Sequence, residues 1–323
     1  MRILITEPEG FSPPAAAALA GMAEVWQREV ATEAELLQAV RTADILWIRL
    51  RHYISARVLD AAPHLKVIAT PTTGLTHIDL EAAQARGIQV ISLRGETDFL
   101  KEIRATAELT LALTLALLRR LPQAHFHVIE GGWDRDLFRG RELHGKTAGI
   151  VGYGRLGRIV ASYFHAFGCQ VLAHDRPDWA GSPDPFVSLV PLEELLTHSD
   201  IVSLHANFQS GMRGFFSRRC FEQMKPGSWF VNTARGELVD EAALVDALES
   251  GRLGGAALDV LADEHLRAGK AHPLVAFAAT HDNLVLTPHI GGCTRESMEK
   301  TEEFLAGKVA AYLAAEAAPA AAR

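Results

Sequence analysis

The stretch Gly149-Ile-Val-Gly-Tyr-Gly-Arg-Leu-Gly-Arg-Ile-Val-Ala161 decides the fold. Gly152, Gly154 and Gly157 stand in a G-x-G-x-x-G spacing, after an apolar run that reads as a strand (Thr147–Gly152) and before a helical stretch (Leu156–Phe167). In that context Gly152 allows a tight turn, Gly154 lets a pyrophosphate approach the backbone, and Gly157 lets helix and strand pack closely. Amides at the helix start then face the phosphates, so Arg155 and Leu156 join the glycines as cofactor-binding candidates. Asp175 follows the next strand (Gln170–His174), 175 − 157 = 18 positions past the last glycine. A carboxylate there accepts hydrogen bonds from ribose hydroxyls and repels a 2′-phosphate, so NAD is expected rather than NADP. Arg176 beside it is the one feature that speaks for NADP.

Outward from this motif the chain alternates strands and helices. On the C-terminal side further strands read as Ile201–Leu204, Trp229–Asn232, Ala256–Val260 and Leu284–Thr287, with a final helix at Arg295–Ala315. On the N-terminal side they read as Arg2–Thr6, Ala23–Trp26, Ile45–Ile48, Val67–Thr70 and Gln89–Ser92, with helices near Pro14–Ala20, Glu33–Val40 and Leu80–Arg86. Such alternation predicts α/β architecture, parallel sheets covered by helices on both faces, here as two doubly wound domains joined near residue 100. An apolar helix near Glu102–Leu121 is expected to break at Pro122 and to be buried at a subunit interface.

Composition narrows the function classes. The 323 residues are 48% hydrophobic and 22% charged, with a net charge of −7, which suits a folded, soluble chain and not a disordered one. No basic run offers a nucleic-acid footprint. The apolar segment Ala105–Leu118 is too short for a membrane span of about 20 residues, and MRILITEPEG lacks a signal-peptide core. Cys169, Cys220 and Cys293 are odd in number and far apart, so reduced thiols in the cytoplasm are expected, with neither a disulfide framework nor a metal site.

Three polar residues stand just past later strands: Arg235, Glu264 and His289. Ligands of doubly wound sheets bind outside the carboxyl ends of the strands, so these three are expected on the cofactor's edge. Arg235 offers a planar fork of donors to a carboxylate and an adjacent carbonyl. His289 is suited to give a proton to a carbonyl oxygen and take it back. Glu264 would orient the imidazole and favour its protonated form. Neighbouring Asp263 is the rival for that role.

The stretches Lys66–Ala83, Ala105–Thr110, Gly149–Ala161, Asp200–His205, Val231–Leu244, Gly254–Val260 and Leu286–Gly292, taken in order, resemble the D-isomer-specific 2-hydroxyacid dehydrogenases, the family that includes D-3-phosphoglycerate dehydrogenase. The resemblance implies the catalytic roles given above for Arg235, Glu264 and His289. It further implies that Asp259 meets the nicotinamide end of the cofactor, that Thr106, His205, Thr233, Ala234, Arg235, His289 and Gly291 lie along it, and that Thr73 and Gly74 belong to a loop receiving the substrate carboxylate. It implies a Rossmann NAD-binding domain at 101–293, a flavodoxin-like substrate-binding domain at 1–100 plus 294–323, and a homodimer paired through the cofactor domain. The chain departs from the family pattern at Asn207-Phe208-Gln209, after Ser92, and at His265, which follows Glu264.

On the substrate side, Arg49 and Arg51 follow a strand with a spacing of two, so both would point to one face and hold an anionic tail such as a phosphate. The contrary reading is a solvated strand end. His52, Tyr53, His77 and Phe99 are read as packing or surface residues before pocket residues, and Cys293 as a small packing residue. Two other functions use the same residues: a non-enzymatic NAD-binding corepressor, and a dehydrogenase of a non-carboxylate substrate such as phosphite. Formate dehydrogenases of this family carry Gln where this chain has Glu264.

Overall fold

The computed structural model describes residues 1–209, 211–264 and 272–317. The chain forms two compact units, one comprising Met1–Glu102 with the chain from Cys293 onward, the other Ile103–Gly292.

The first unit is built on five short strands, β1 (Arg2–Ile5), β2 (Glu24–Gln27), β3 (Ile45–Trp47), β4 (Val67–Ala69) and β5 (Gln89–Ile91), in the order β2-β1-β3-β4-β5 and all parallel. This is the flavodoxin-like order. Central strands β3 and β4 are buried along their whole length, as continuous apolar runs require when helices cover both faces. Local signals define the helices: Thr32 and Glu35 form a reciprocal capping box at Glu33–Ala39, and Asp79 caps Leu80–Ala85.

The long helix Arg295–Ala317 belongs to this unit and lies against Pro13–Ala20. Its Glu302 is fully buried and accepts from the Ser12 amide at 2.8 Å and from Arg49 Nη2 at 2.6 Å and Nε at 2.9 Å. Burial pushes Glu302 above the ordinary carboxylate value, against the pull of Ser12 and Arg49. Arg49 also donates to the Glu9 carbonyl at 3.0 Å. Removing one partner of such a buried pair costs about 3 kcal/mol or more. Arg51 pairs instead with Glu29 and the Val30 carbonyl. Strand β3 ends at Trp47, so the period-two argument does not reach either arginine; their amides both bind the Glu7 carboxylate. Both side chains thus have carboxylate partners of their own at the positions where the sequence suggests a hold on an anionic tail. His52 is buried on the Val30 carbonyl, and Phe99 stacks on Phe304 at 3.9 Å between centroids. Cys293 is exposed, with Sγ 3.8 Å from Met298 Sδ; the expected packing role is not what its surroundings provide.

The second unit carries a seven-stranded parallel sheet: β6 (Thr147–Val151), β7 (Gln170–His174), β8 (Val187–Leu189), β9 (Ile201–Leu204), β10 (Ser228–Asn232), β11 (Leu253–Leu258) and β12 (Leu284–Leu286). The order is β12-β11-β10-β9-β6-β7-β8, the Rossmann order with one further strand, and its reversal lies between β6 and β9. The sequence pattern misses β8, a three-residue edge strand with two exposed positions. It also starts β11 three residues late, because Gly254 and Gly255 read as a breaker. A Cβ on Gly255 would stand 2.8 Å from the Asn283 carbonyl and 2.9 Å from Leu117 Cδ1, so glycine serves close packing there.

Pro122 does not end helical structure. The apolar helix Ala105–Arg119 stops at Arg120, whose backbone is left-handed (φ 52°), and a second helix, Leu121–Ile129, starts with Pro122 in its first turn. Proline is tolerated there because that amide has no helical acceptor. Leu113, Thr114, Leu117 and Leu118 of the first helix are buried, whereas Leu121, Phe126, Val128, Ile129, Trp133 and Leu137 just beyond are exposed. Among the described residues no helix is long and apolar enough to cross a membrane.

Candidate functional site

The carboxyl ends of β6, β9, β10, β11 and β12 bring the cofactor and catalytic candidates of the second unit to one sheet edge. After β6 the chain turns at Gly152 (φ 96°), where a Cβ would stand 2.5 Å from the Ala206 amide nitrogen. A Cβ on Gly157 would stand 2.1 Å from the Gly152 carbonyl oxygen, so helix Arg155–Ala166 crosses the turn in direct contact. Nothing lies within 4 Å of a Cβ built on Gly154, the N-cap of that helix. Two glycines therefore serve packing, and the third faces open space where a phosphate can approach. Arg155 is largely desolvated, which with nearby Arg104 lowers its pKa, and it donates to the Ile103 carbonyl at 3.3 Å. Leu156 packs into the core beside it.

Asp175 stands at the end of β7, accepting from the Tyr153 amide at 2.6 Å and the Arg176 amide at 2.8 Å. Arg176 is exposed and its guanidinium pairs with Asp178 at 3.2 Å. Tyr153, an unassigned position of the glycine motif, is fully buried; its hydroxyl hydrogen-bonds Asp184, which also takes Arg158 at 3.0 Å. Burial, with the Asp184 bond, pushes the phenol up to about 12. His205, at the end of β9, is buried, and desolvation pushes its imidazole down to about 3. Its Nε2 meets Ser203 Oγ at 2.8 Å, and its buried Nδ1 has no hydrogen-bond partner among the described residues.

Past β10, Thr110 donates to the Thr106 carbonyl at 2.8 Å, so the 2.8 Å contact between Thr110 and Thr233 hydroxyls must be a donation from Thr233. Ala234 is buried, its amide held by Asn232 Oδ1 at 2.9 Å. Arg235 donates to the Ala234 carbonyl at 2.6 Å, its single acceptor among the described residues. Burial lowers its pKa, opposed by Glu264 and Glu237. The remaining donors of a desolvated guanidinium are matched to an anion.

Past β11, the buried Asp259 carboxylate accepts from Thr287 Oγ1 at 2.6 Å and from the amides of Ile290 and Gly291, each at 2.8 Å, while its backbone carbonyl takes the His289 amide at 2.8 Å. Burial raises its pKa against these bonds. A Cβ on Gly291 would touch Asp259 Oδ2 at 3.0 Å and Thr106 Cγ2 at 3.1 Å, so Thr106, Asp259 and Gly291 are neighbours. His289 is held with φ 55°, an uncommon conformation for a residue with a side chain. Its Nδ1 meets Glu264 Oε1, which leaves Nε2 to act outward. Burial alone would raise Glu264, but the hydrogen bond and charge of His289, joined by the Leu261 amide and Arg235, outweigh it and hold the carboxyl below its ordinary value. The rival Asp263 is engaged by Arg213 at 2.9 and 3.2 Å.

Residues 111–291 match the sequence profile described as the D-isomer specific 2-hydroxyacid dehydrogenase, NAD binding domain. The chain belongs to the D-isomer specific 2-hydroxyacid dehydrogenase family. A Mycobacterium tuberculosis protein named D-3-phosphoglycerate dehydrogenase is 37% identical over 310 residues, 96% of this chain and 56% of that protein. The chain thus spans about half the length of the phosphoglycerate dehydrogenases it matches. A glyoxylate reductase of Thermofilum pendens is 39% identical over 293 residues, 88% of this chain and 83% of the relative. The structure of a D-lactate dehydrogenase from Aquifex aeolicus, complexed with NAD and lactic acid, superposes with a TM-score of 0.81 at 28% identity, covering 98% of this chain and 96% of that one.

The residues present fit NAD: an open approach at Gly154, a carboxylate at the end of β7, and a buried His205 nitrogen with no partner among the described residues. Of the remaining candidates, Arg49, Arg51, Thr73 and Gly74 lie in the first unit. There Thr73 is exposed, and Thr72 Oγ1 donates to the Gly74 carbonyl at 2.9 Å. Because Thr72 spends its proton on Gly74, Thr70 donates to Thr72 and accepts from His77 Nε2 at 3.3 Å, so buried His77 is part of the loop's scaffold. Sequence reasoning misses Tyr153 and Thr110, although both stand inside stretches it quotes. His265, where the chain departs from the family pattern, falls outside the described residues.

The two kinds of glycine predict opposite effects. Gly157→Val is expected to lose folded protein, because its Cβ has no room against backbone. Gly154→Ala should leave the melting temperature unchanged while weakening NADH binding about tenfold or more, read by nicotinamide fluorescence. Equal NADH affinity in Gly154→Ala and wild type would refute this assignment.

Proposed function

We propose that this chain is an NAD-dependent oxidoreductase that interconverts a small 2-oxo acid and the corresponding D-2-hydroxy acid. The observation that carries this reading is the His289–Glu264 pair on the sheet edge that also bears the glycine turn, beside a desolvated Arg235 with one acceptor among the described residues. Bound NADH supplies the hydride that goes to the carbonyl carbon. Arg235 receives the substrate carboxylate and polarises the adjacent carbonyl. His289 Nε2 gives its proton to the carbonyl oxygen and recovers it in the reverse direction. Glu264, ionised because His289 holds it down, keeps the ring oriented and balances the imidazolium. Asp175, with Arg176 occupied by Asp178, supports NAD over NADP.

Of the substrate classes named by relatives, a short 2-oxo acid such as glyoxylate is favoured over a phosphorylated one. Arg49 and Arg51, the arginines that would hold a distal phosphate, are spent on Glu302 and Glu29. The test is NADH oxidation against glyoxylate, hydroxypyruvate, pyruvate, phenylpyruvate and 3-phosphohydroxypyruvate, with NADPH and His289→Ala as controls. Turnover of the short acids, reduced about 1,000-fold in His289→Ala, is the expected result. NADH binding with no turnover of any acid would favour a regulatory NAD-binding protein or a non-carboxylate substrate. Preference for 3-phosphohydroxypyruvate would overturn the substrate assignment alone.

We further propose a homodimer paired through the cofactor domain. Phe126, Val128, Ile129 and Trp133 stand exposed along and just after the helix Leu121–Ile129, with Trp133 89% exposed, and a run of large apolar side chains in water suits an interface. Sedimentation should give a dimer that Trp133→Ser weakens; a monomeric wild type at micromolar concentration would contradict this.

A further inference from the structure

We propose that Glu241 is a positioning residue for the acid–base pair: through Ala262 it holds the turn that presents Glu264 to His289. Glu241 opens helix Glu241–Glu249, in the stretch Val231–Leu244 singled out in the sequence, and touches neither Glu264 nor His289 in any hydrogen bond. Its Oε1 accepts the Ala262 amide at 2.7 Å, and its Oε2 lies 3.3 Å from Nε2 of His272.

His272 is buried, and its Nδ1 accepts the Leu274 amide at 3.3 Å as the N-cap of helix Pro273–Ala278. A nitrogen that accepts carries no proton, so the proton of this imidazole sits on Nε2, the nitrogen nearer Glu241. One oxygen of Glu241 is therefore the acceptor that holds the turn, and the other faces a side chain anchored to a different helix. Burial raises Glu241, opposed by Ala262 and His272.

The rest of the turn is braced in the same way. Glu237 Oε1 accepts the Asp263 amide at 3.4 Å, and Arg213 grips the Asp263 carboxylate. A Cβ on Gly236 would collide with Leu261 at 1.9 Å, so the chain after β10 lies directly under the turn. Asp263 has φ 53°, a conformation that needs such support. Glu264 completes the turn by accepting the Leu261 amide at 3.4 Å through Oε2, which leaves Oε1 for His289. Among the described residues, the charged groups facing Glu264 are His289 and Arg235; those facing His289 are Glu264 and Asp259; those facing Glu241 are His272, Glu237 and Asp263.

The consequence has a definite sign. Glu264 sits below its ordinary value because His289, joined by the Leu261 amide and Arg235, outweighs burial. If the turn loosens and the His289 contact lengthens, the strongest of these opposing interactions weakens and Glu264 titrates at higher pH. The inference rests on the acid–base role proposed above, but its first readout needs no turnover. In protein labelled with 13C at glutamate Cδ, the Glu264 signal is assigned by its loss in Glu264→Gln and titrated in wild type, Glu241→Ala and Glu241→Gln. The midpoint should rise by about half a pH unit or more in Glu241→Ala. In Glu241→Gln it should rise less, because the amide keeps one oxygen for Ala262 but loses the charge that faces His272. With whichever 2-oxo acid the wild type reduces, Glu241→Ala should lower kcat about tenfold and move the acid limb toward neutral pH, with NADH affinity unchanged. A Glu264 midpoint that stays in place in either variant that still binds NADH as wild type overturns the proposal; Glu241→Gln alone decides if Glu241→Ala does not fold. If the wild type reduces no acid but the midpoint moves, the proposed function fails and the positioning role stands.

Discussion

The buried carboxylate of Asp259 is the contact on which the site depends. It gathers the Thr287 hydroxyl and the amides of Ile290 and Gly291, while its own carbonyl takes the His289 amide. These bonds bend the chain after β12 so that His289 sits in a left-handed conformation, at a cost of order 1–3 kcal/mol that only an over-determined surrounding can hold. Three of the roughly four lone-pair directions of that carboxylate are thus used by the protein. The family resemblance implies a cofactor contact for Asp259, and its internal bonds add a structural reason for an acid here: an uncharged isostere such as Asn cannot accept from all three donors in the same geometry.

Around this knot the parallel sheet does the gathering. Strand ends that follow one another 26 to 53 positions apart in the sequence deliver Gly152, His205, Arg235, Asp259 and His289 to one edge. Each approach is steric at one point and electrostatic at another: glycine where backbone meets backbone at 152 and 157, a desolvated cation at 235, an ion pair at 264 and 289. Desolvation links these features, since it strengthens each charge's need for a partner while leaving Arg235 short of one.

Much of this is legible in the sequence, for identifiable reasons. The strands of both sheets announce themselves because a strand buried on both faces is a continuous apolar run, as at Ile45–Trp47 and Ile201–Leu204. Arg235, Glu264 and His289 are legible because the chain leaves a parallel strand at a fixed end. Edge strand β8 is not, since three residues with one buried position carry no period. Pro122 misleads because the same residue that breaks a helix interior also starts a helix. The pairing of Arg49 is not legible for a different reason: its partner Glu302 stands 253 positions away, and no local pattern records it. The choice of Glu264 over Asp263 rests in the sequence on spacing alone, whereas the structure gives Asp263 its own cation in Arg213.

The central claim is that Glu264 and His289 act as one unit, and a double-mutant cycle on kcat/KM for the best 2-oxo acid tests it most directly. Glu264→Gln, His289→Asn and the double variant would be compared with wild type at neutral pH. The account predicts a double variant no slower than His289→Asn alone, because Glu264 has no acid–base role without the imidazole it orients. Two losses that multiply would contradict it, by showing that each residue acts on the reaction independently.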